Sequence, residues 1–96
     1  SKLDSINEAL NNLNLTLNNK RYARVLDYAF ENLKIKSLDL KNNQIQFIEP
    51  RAFYGLEFDL IKLVLSYNKI ESISFHLYLL KNLTELDLSN NRIKSI

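Results

Sequence analysis

The 96 residues contain no cysteine, one glycine, one proline and one histidine. Without cysteine the chain forms no disulfide. With His76 as its single imidazole it also lacks the nitrogen and sulfur ligands of a tetrahedral zinc site. Gly55 alone cannot build a glycine-rich loop of the kind that cradles phosphate. Serine, histidine and acidic residues fall in no spacing that resembles a catalytic triad. The chain therefore reads as non-enzymatic, with no cofactor. Its 13 Lys and Arg against 11 Asp and Glu leave a net charge of +2, dispersed along the chain, so no basic patch is set aside for nucleic acid. No apolar run approaches the roughly 18 residues needed to span a bilayer, which argues against membrane insertion. No segment has the pattern of a secretory leader, a pattern that a processed or excised piece would also lack. What remains is one domain, burying roughly 60–70% of the surface its unfolded chain exposes.

Three stretches of the chain can be stacked in register. Ile35-x-x-Leu38-x-Leu40-x-x-Asn43-x-Ile45 returns as Leu60-x-x-Leu63-x-Leu65-x-x-Asn68-x-Ile70, and again as Leu83-x-x-Leu86-x-Leu88-x-x-Asn91-x-Ile93. The asparagines stand 25 and then 23 residues apart, a period that marks a leucine-rich repeat solenoid. A worn fourth copy lies upstream, with Leu15, Leu17, Val25, Ala29, Phe30 and Leu33 in the skeleton positions. Lys20 stands in place of the asparagine and Tyr22 in place of the isoleucine. We divide the chain into a lead-in or N-terminal cap at 1–11 and a solenoid at 12–96, made of repeats 12–34, 35–59, 60–82 and a truncated 83–96.

The chemistry of the pattern is specific. In Leu-x-Leu both leucines face one side of a short strand and the residue between them faces the other. Successive copies then pair as parallel strands about 4.8 Å apart, and their leucines fill one continuous core. The expected fold is an α/β-type repeat solenoid, with short parallel β-strands on a concave face and irregular or short helical segments on the convex one. The asparagine amide carries two donors and an acceptor, enough to satisfy backbone groups of its own turn and of the next. Asn43, Asn68 and Asn91 are the expected ladder. Lys20 cannot serve in it, so the first turn is expected to be looser and more solvated.

The ends read differently from the middle. Ser5-x-x-Glu8 has the form of a capping box opening a short helix, with Ile6, Ala9, Leu10 and Leu13 as its apolar side. The same residues also read as the tail of a preceding repeat. At the other end the chain stops at Ile96 in mid-repeat, leaving Leu86, Leu88, Ile93 and Ile96 with no following turn. The expectation is a piece of a longer protein, or an edge covered by a partner chain through self-association.

The second half of each repeat carries a further resemblance. Ala29-Phe30-x-x-Leu33 and Ala52-Phe53-Tyr54-Gly55-Leu56-Glu57, the latter followed by Leu60, resemble the A-F-x-x-L ending of typical leucine-rich repeats. In the third copy Leu77 and Leu80 take those places, with Tyr78 competing for the first. This subtype is similar to the ectodomain repeats of animal receptors and adhesion proteins such as the Toll-like, Slit and chaoptin families. The resemblance implies an extracellular or cell-surface glycoprotein that recognises a protein ligand or co-receptor, in cell adhesion or innate immunity. The departure from it is the missing cysteine, since family ends are usually sealed by cysteine-bearing caps. An internal segment would lack them, and so would a cytoplasmic protein, where disulfides are rare. The alternative reading is accordingly an intracellular scaffold or a self-assembling structural repeat.

Candidate binding residues lie between the strand leucines. They form three columns: Asn14, Ser37, Lys62, Glu85; then Thr16, Asp39, Val64, Asp87; then Asn18, Lys41, Ser66, Ser89. Lys62 beside Glu85 is expected as a cross-strand pair. Tyr67 stands where its counterparts are Asn19, Asn42 and Asn90. We take Asp39, Lys41, Lys62, Val64, Tyr67, Glu85 and Asp87 as the concave partner-binding set. Phe47, Tyr54 and Phe58 are a rival set on the outer face, where they either pad the convex layer or mark a contact. Asn14-Leu15-Thr16 and Asn82-Leu83-Thr84 are sequons for N-glycosylation, although a chain with 13 asparagines yields one or two by chance. Asn82 precedes its strand. Asn14 aligns with Ser37, so a glycan there would mask part of the concave surface. His76 falls near the alanine of the Ala-Phe pair and reads as structural or solvent-facing.

Overall fold

The computed structural model describes residues 13–73 and 77–94. The lead-in 1–11 with its Ser5–Glu8 motif, and His76 and Ile96, lie outside the described residues. Four short strands form a parallel sheet: β1 (Leu13–Thr16), β3 (Ile35–Asp39), β5 (Lys62–Val64) and β6 (Glu85–Asp87), in the order β1-β3-β5-β6. Leu15 pairs with Leu38, Leu38 with Leu63 and Leu63 with Leu86. A one-residue slip would turn every leucine to solvent, and the sheet holds the leucine register from rung to rung. Ile35, Leu38, Leu40, Ile45, Leu56, Leu60, Leu63, Leu65 and Ile70 are fully buried. Each contributes on the order of 1.5–3 kcal/mol by leaving water.

The convex side is irregular. Its helical content among the described residues is one 3₁₀ turn, Leu77–Leu79, so short helices do not form there as a rule. Consecutive right-handed residues are needed to propagate a helix, and positive φ at Tyr28 (60°), Asn32 (66°) and Gly55 (103°) interrupts them. The chain instead advances through turns closed by bonds such as Ala29 N–H to Leu26 O and Ala52 N–H to Glu49 O. A second parallel sheet unites β2 (Arg24–Val25) with β4 (Phe47–Ile48). The Ala-Phe motif stacks there too, with the Phe30 and Phe53 rings parallel at 6.0 Å. In the third copy Leu80 is buried and Leu77 packs against the core, while Tyr78 stays exposed, so the two leucines hold the skeleton places.

Gly55 is required where it stands. Its φ of 103° is a conformation that L side chains rarely adopt, and a Cβ there would lie 3.2 Å from Glu31 Cα of the preceding rung. The close approach of two rungs and the backbone twist both demand hydrogen at this position.

Candidate functional site

The asparagine ladder sets the geometry of the strand ends. Asn68 Nδ2 donates to Leu65 O and Ser66 O of its own turn and to Leu40 O of the preceding one, while its Oδ1 accepts from Ile45 N–H. Asn91 repeats this, with Leu88 O and Ser89 O in its own turn and Leu65 O and Ile70 N–H behind it. Asn43 donates to Leu40 O and Leu17 O and accepts from Lys20 N–H and Tyr22 N–H. The ladder thus serves each asparagine's own turn and the preceding turn, where the next turn was expected. Lys20, in the ladder place of the first rung, is exposed. Its turn needs no asparagine of its own, because Asn43 holds it from one rung ahead. The side chains of this first rung are nonetheless more exposed, with Leu13, Tyr22 and Leu26 open to solvent.

On the concave face β1, β3, β5 and β6 align Asn14, Ser37, Lys62 and Glu85, and beside them Thr16, Asp39, Val64 and Asp87. Lys62 Nζ lies 3.6 Å from the Glu85 carboxylate, with both side chains half or more exposed, so the pair contributes little to stability. The two aspartates are committed to the strand ends. Asp39 accepts from Lys41 N–H and from Asn18 Nδ2, and Asp87 accepts from Ser89 N–H and Ser89 Oγ–H. The Ser89 hydroxyl and then its amide hold the Asp87 carboxyl below its ordinary value of 3.8, helped by the positive charges of Lys41 and Lys62. Ser66, expected to face outward in the third column, is buried. Val64 is half-buried at the centre, and charges of both signs surround it: Asp39, Lys41, Lys62, Glu85 and Asp87.

Tyr67 borders this patch at the strand-exit rim. The residue is 54% exposed and its φ is 56°, matched by Asn19 (59°), Asn42 (57°) and Asn90 (56°) in the equivalent positions. Asparagine tolerates left-handed backbone; a bulky aromatic side chain there is a genuine outlier. The outer asparagines also interact, Asn42 Nδ2 donating to Asn19 Oδ1, and Tyr67 interrupts that column. The signal available in the sequence was the asparagine doublet itself, a residue type suited to positive φ standing just before Asn43 and Asn91 but not before Asn68.

The rival outer aromatics separate. Phe47 lies under the Arg24 guanidinium at 5.4 Å and Tyr54 meets Tyr28 edge-on at 5.7 Å, so both are tied into the convex layer. Phe58 is 72% exposed. Asn14 is exposed on β1, and Asn82 is exposed ahead of β6. Among the described residues no three His, Asp or Glu side chains gather closely enough to hold a metal ion, and no helix is long and apolar enough to cross a membrane.

The parallel rungs, the buried leucines and the ladder define a repeat solenoid that presents a polar sheet. Comparison with known proteins places it. The description "Leucine rich repeat" matches residues 8–58, and "Leucine Rich repeats (2 copies)" matches residues 59–96. The chain belongs to the leucine-rich repeat family, whose members are in general non-enzymatic protein-interaction modules. It is 44% identical over 62 residues, 65% of its length, to human leucine-rich repeats and immunoglobulin-like domains protein 1. It is 34% identical over 93% of its length to human protein 3 of the same name. To the rat volume-regulated anion channel subunit LRRC8D it is 33% identical over 98% of its length. The chain spans 6%, 8% and 11% of these relatives respectively. No solved structure matches it.

Proposed function

We propose that this chain is a recognition segment of a cell-surface protein and binds a protein partner on its concave sheet, with Tyr67 as the anchor. The observation that carries this is the conformation of Tyr67. A left-handed backbone costs a non-glycine residue about 1–3 kcal/mol, and the asparagine of every other described rung would reduce that cost. An exposed tyrosine kept there at the expense of folding stability is suited to binding, since tyrosine combines a large apolar ring with a hydroxyl and is enriched among energetically dominant interface residues. The surrounding charges of both signs fit a partner surface of complementary mixed charge, which favours orientation and specificity over raw affinity.

Two observations support the cell-surface part of the reading. The human relatives' names pair leucine-rich repeats with immunoglobulin-like domains, a module common on cell surfaces. The A-F-x-x-L endings also resemble those of animal receptor and adhesion ectodomains. A role in adhesion or innate immune recognition falls within this reading.

The experiment is binding of fluorescently labelled chain to intact, non-permeabilised cells, with unlabelled chain as competitor. Saturable binding is expected, abolished by Lys62→Glu combined with Asp87→Lys and retained by Phe47→Ala. Loss through Phe47→Ala with the concave variant still binding would move the interface to the convex side. Concentration-dependent self-association without cell binding would favour the scaffold reading instead.

A further inference from the structure

At the strand-start rim, opposite the end occupied by Tyr67, three features meet that the binding reading does not use. Asn82 and Thr84 belong to a sequon, Asn82-Leu83-Thr84. Asn82 Nδ2 donates to Phe58 O of the preceding rung at 2.6 Å. Phe58 itself is 72% exposed. Lys36, Phe58, Asp59, Ile61, Asn82 and Thr84 line one open groove of about 240 Å³ here. An exposed phenylalanine isolated on a surface needs no explanation. One whose own carbonyl is bonded to a sequon asparagine, beside a groove with a lysine and an aspartate at its edges, has a specific chemistry available to it.

We infer that Asn82 carries an N-linked glycan whose first sugar lies in this groove, with the Phe58 ring as its platform. This rests on the cell-surface reading, because the transfer takes place in the secretory pathway. In that transfer Asn82 Nδ2 bonds to the anomeric carbon of an oligosaccharide carried on a lipid diphosphate. The bond from that carbon to the phosphate oxygen breaks, the lipid diphosphate leaves with the electron pair, and Nδ2 releases one proton. The second amide hydrogen remains and still donates to Phe58 O, so the inter-rung bond is compatible with the modification. The sugar's C–H face covers the exposed ring, as apolar surface covers an aromatic elsewhere, while Lys36 and Asp59 offer partners for its polar groups. Asn14 lacks such a setting. It lies on β1 in the concave column beside Ser37, where a glycan would cover the sheet. A glycan at Asn82 occupies the strand-start rim and leaves the Tyr67 rim open.

The test has two parts. The native protein is captured from its source cells after labelling with a membrane-impermeant amine reagent, then deglycosylated enzymatically in ¹⁸O water and read by peptide mass spectrometry. Labelled protein with Asn82 converted to ¹⁸O-aspartate is expected. Labelled protein with Asn82 unconverted overturns the glycan site and leaves the cell-surface reading standing. Protein that the reagent never reaches overturns both. For the platform, Phe58→Ala is compared in material from a glycosylating and a non-glycosylating host. A melting temperature several degrees lower in the glycosylated form alone is expected, with Phe58→Tyr restoring it. Equal losses in both forms would overturn the stacking.

Discussion

Asn68 accepts the amide proton of Ile45 at 3.0 Å from a full rung away, and this bond closes a buried backbone donor that nothing in Ile45's own turn reaches. With its three donated bonds, the Asn68 amide ties two turns together at a place where water is excluded.

Asn68→Ala leaves Ile45 N–H without a partner and removes one of the bonds accepted by each of Leu40 O, Leu65 O and Ser66 O, which keep those from Asn43, Asn91 and Asn42. The orphaned buried donor costs on the order of 1–3 kcal/mol and the other lost bonds add to it, so a loss of about 3 kcal/mol is expected in urea denaturation. Asn91→Ala removes equivalent bonds where the groups are only part-buried and should cost visibly less. Equal losses would mean that burial does not set the strength of the ladder.

Gly55→Ala tests the close approach of the first and second rungs. The methyl group would press on the Glu31 backbone and the residue would keep a φ of 103°. Destabilisation of at least about 1 kcal/mol is expected. A gain in stability, as substitution of a flexible glycine usually gives, would contradict the geometry.

Asp87 predicts a pH effect of known sign. Its folded carboxyl titrates below its ordinary 3.8 because Ser89 bonds the ionised form. The stabilisation is therefore present above the unfolded value and is lost as pH falls through the lower folded one. Because the group is fully exposed, the effect on stability is small. Titration of the Asp87 carboxyl by NMR should show a midpoint below 3.8, moving upward in Ser89→Ala. An unmoved midpoint would assign the shift to the lysines.

Much of this was legible in the residues. The Leu-x-Leu register gave the pairing of Leu38 with Leu63 and of Lys62 with Glu85, because side-chain alternation in a strand leaves one choice of face. The ladder's membership followed from Asn43, Asn68 and Asn91, but its direction did not, since an amide offers the same donors and acceptor whichever neighbour it meets. The sheet joining Val25 to Ile48 was hidden because two residues are too few to show a period. Asp39 and Asp87 read as partner-binding charges, and only the structure reveals that each accepts from the residue two positions on. Tyr67 stood out against three asparagines, while its strained φ needed the backbone.

The most direct measurement of the central claim is the Tyr67→Asn variant, followed in stability and in cell binding side by side. Asparagine relieves the left-handed strain, so the urea midpoint should rise, by about 1 kcal/mol in free energy. Removing the anchor should weaken binding about tenfold or more. A more stable variant that binds as tightly as the parent would contradict the account, because the strain at Tyr67 would then serve no partner.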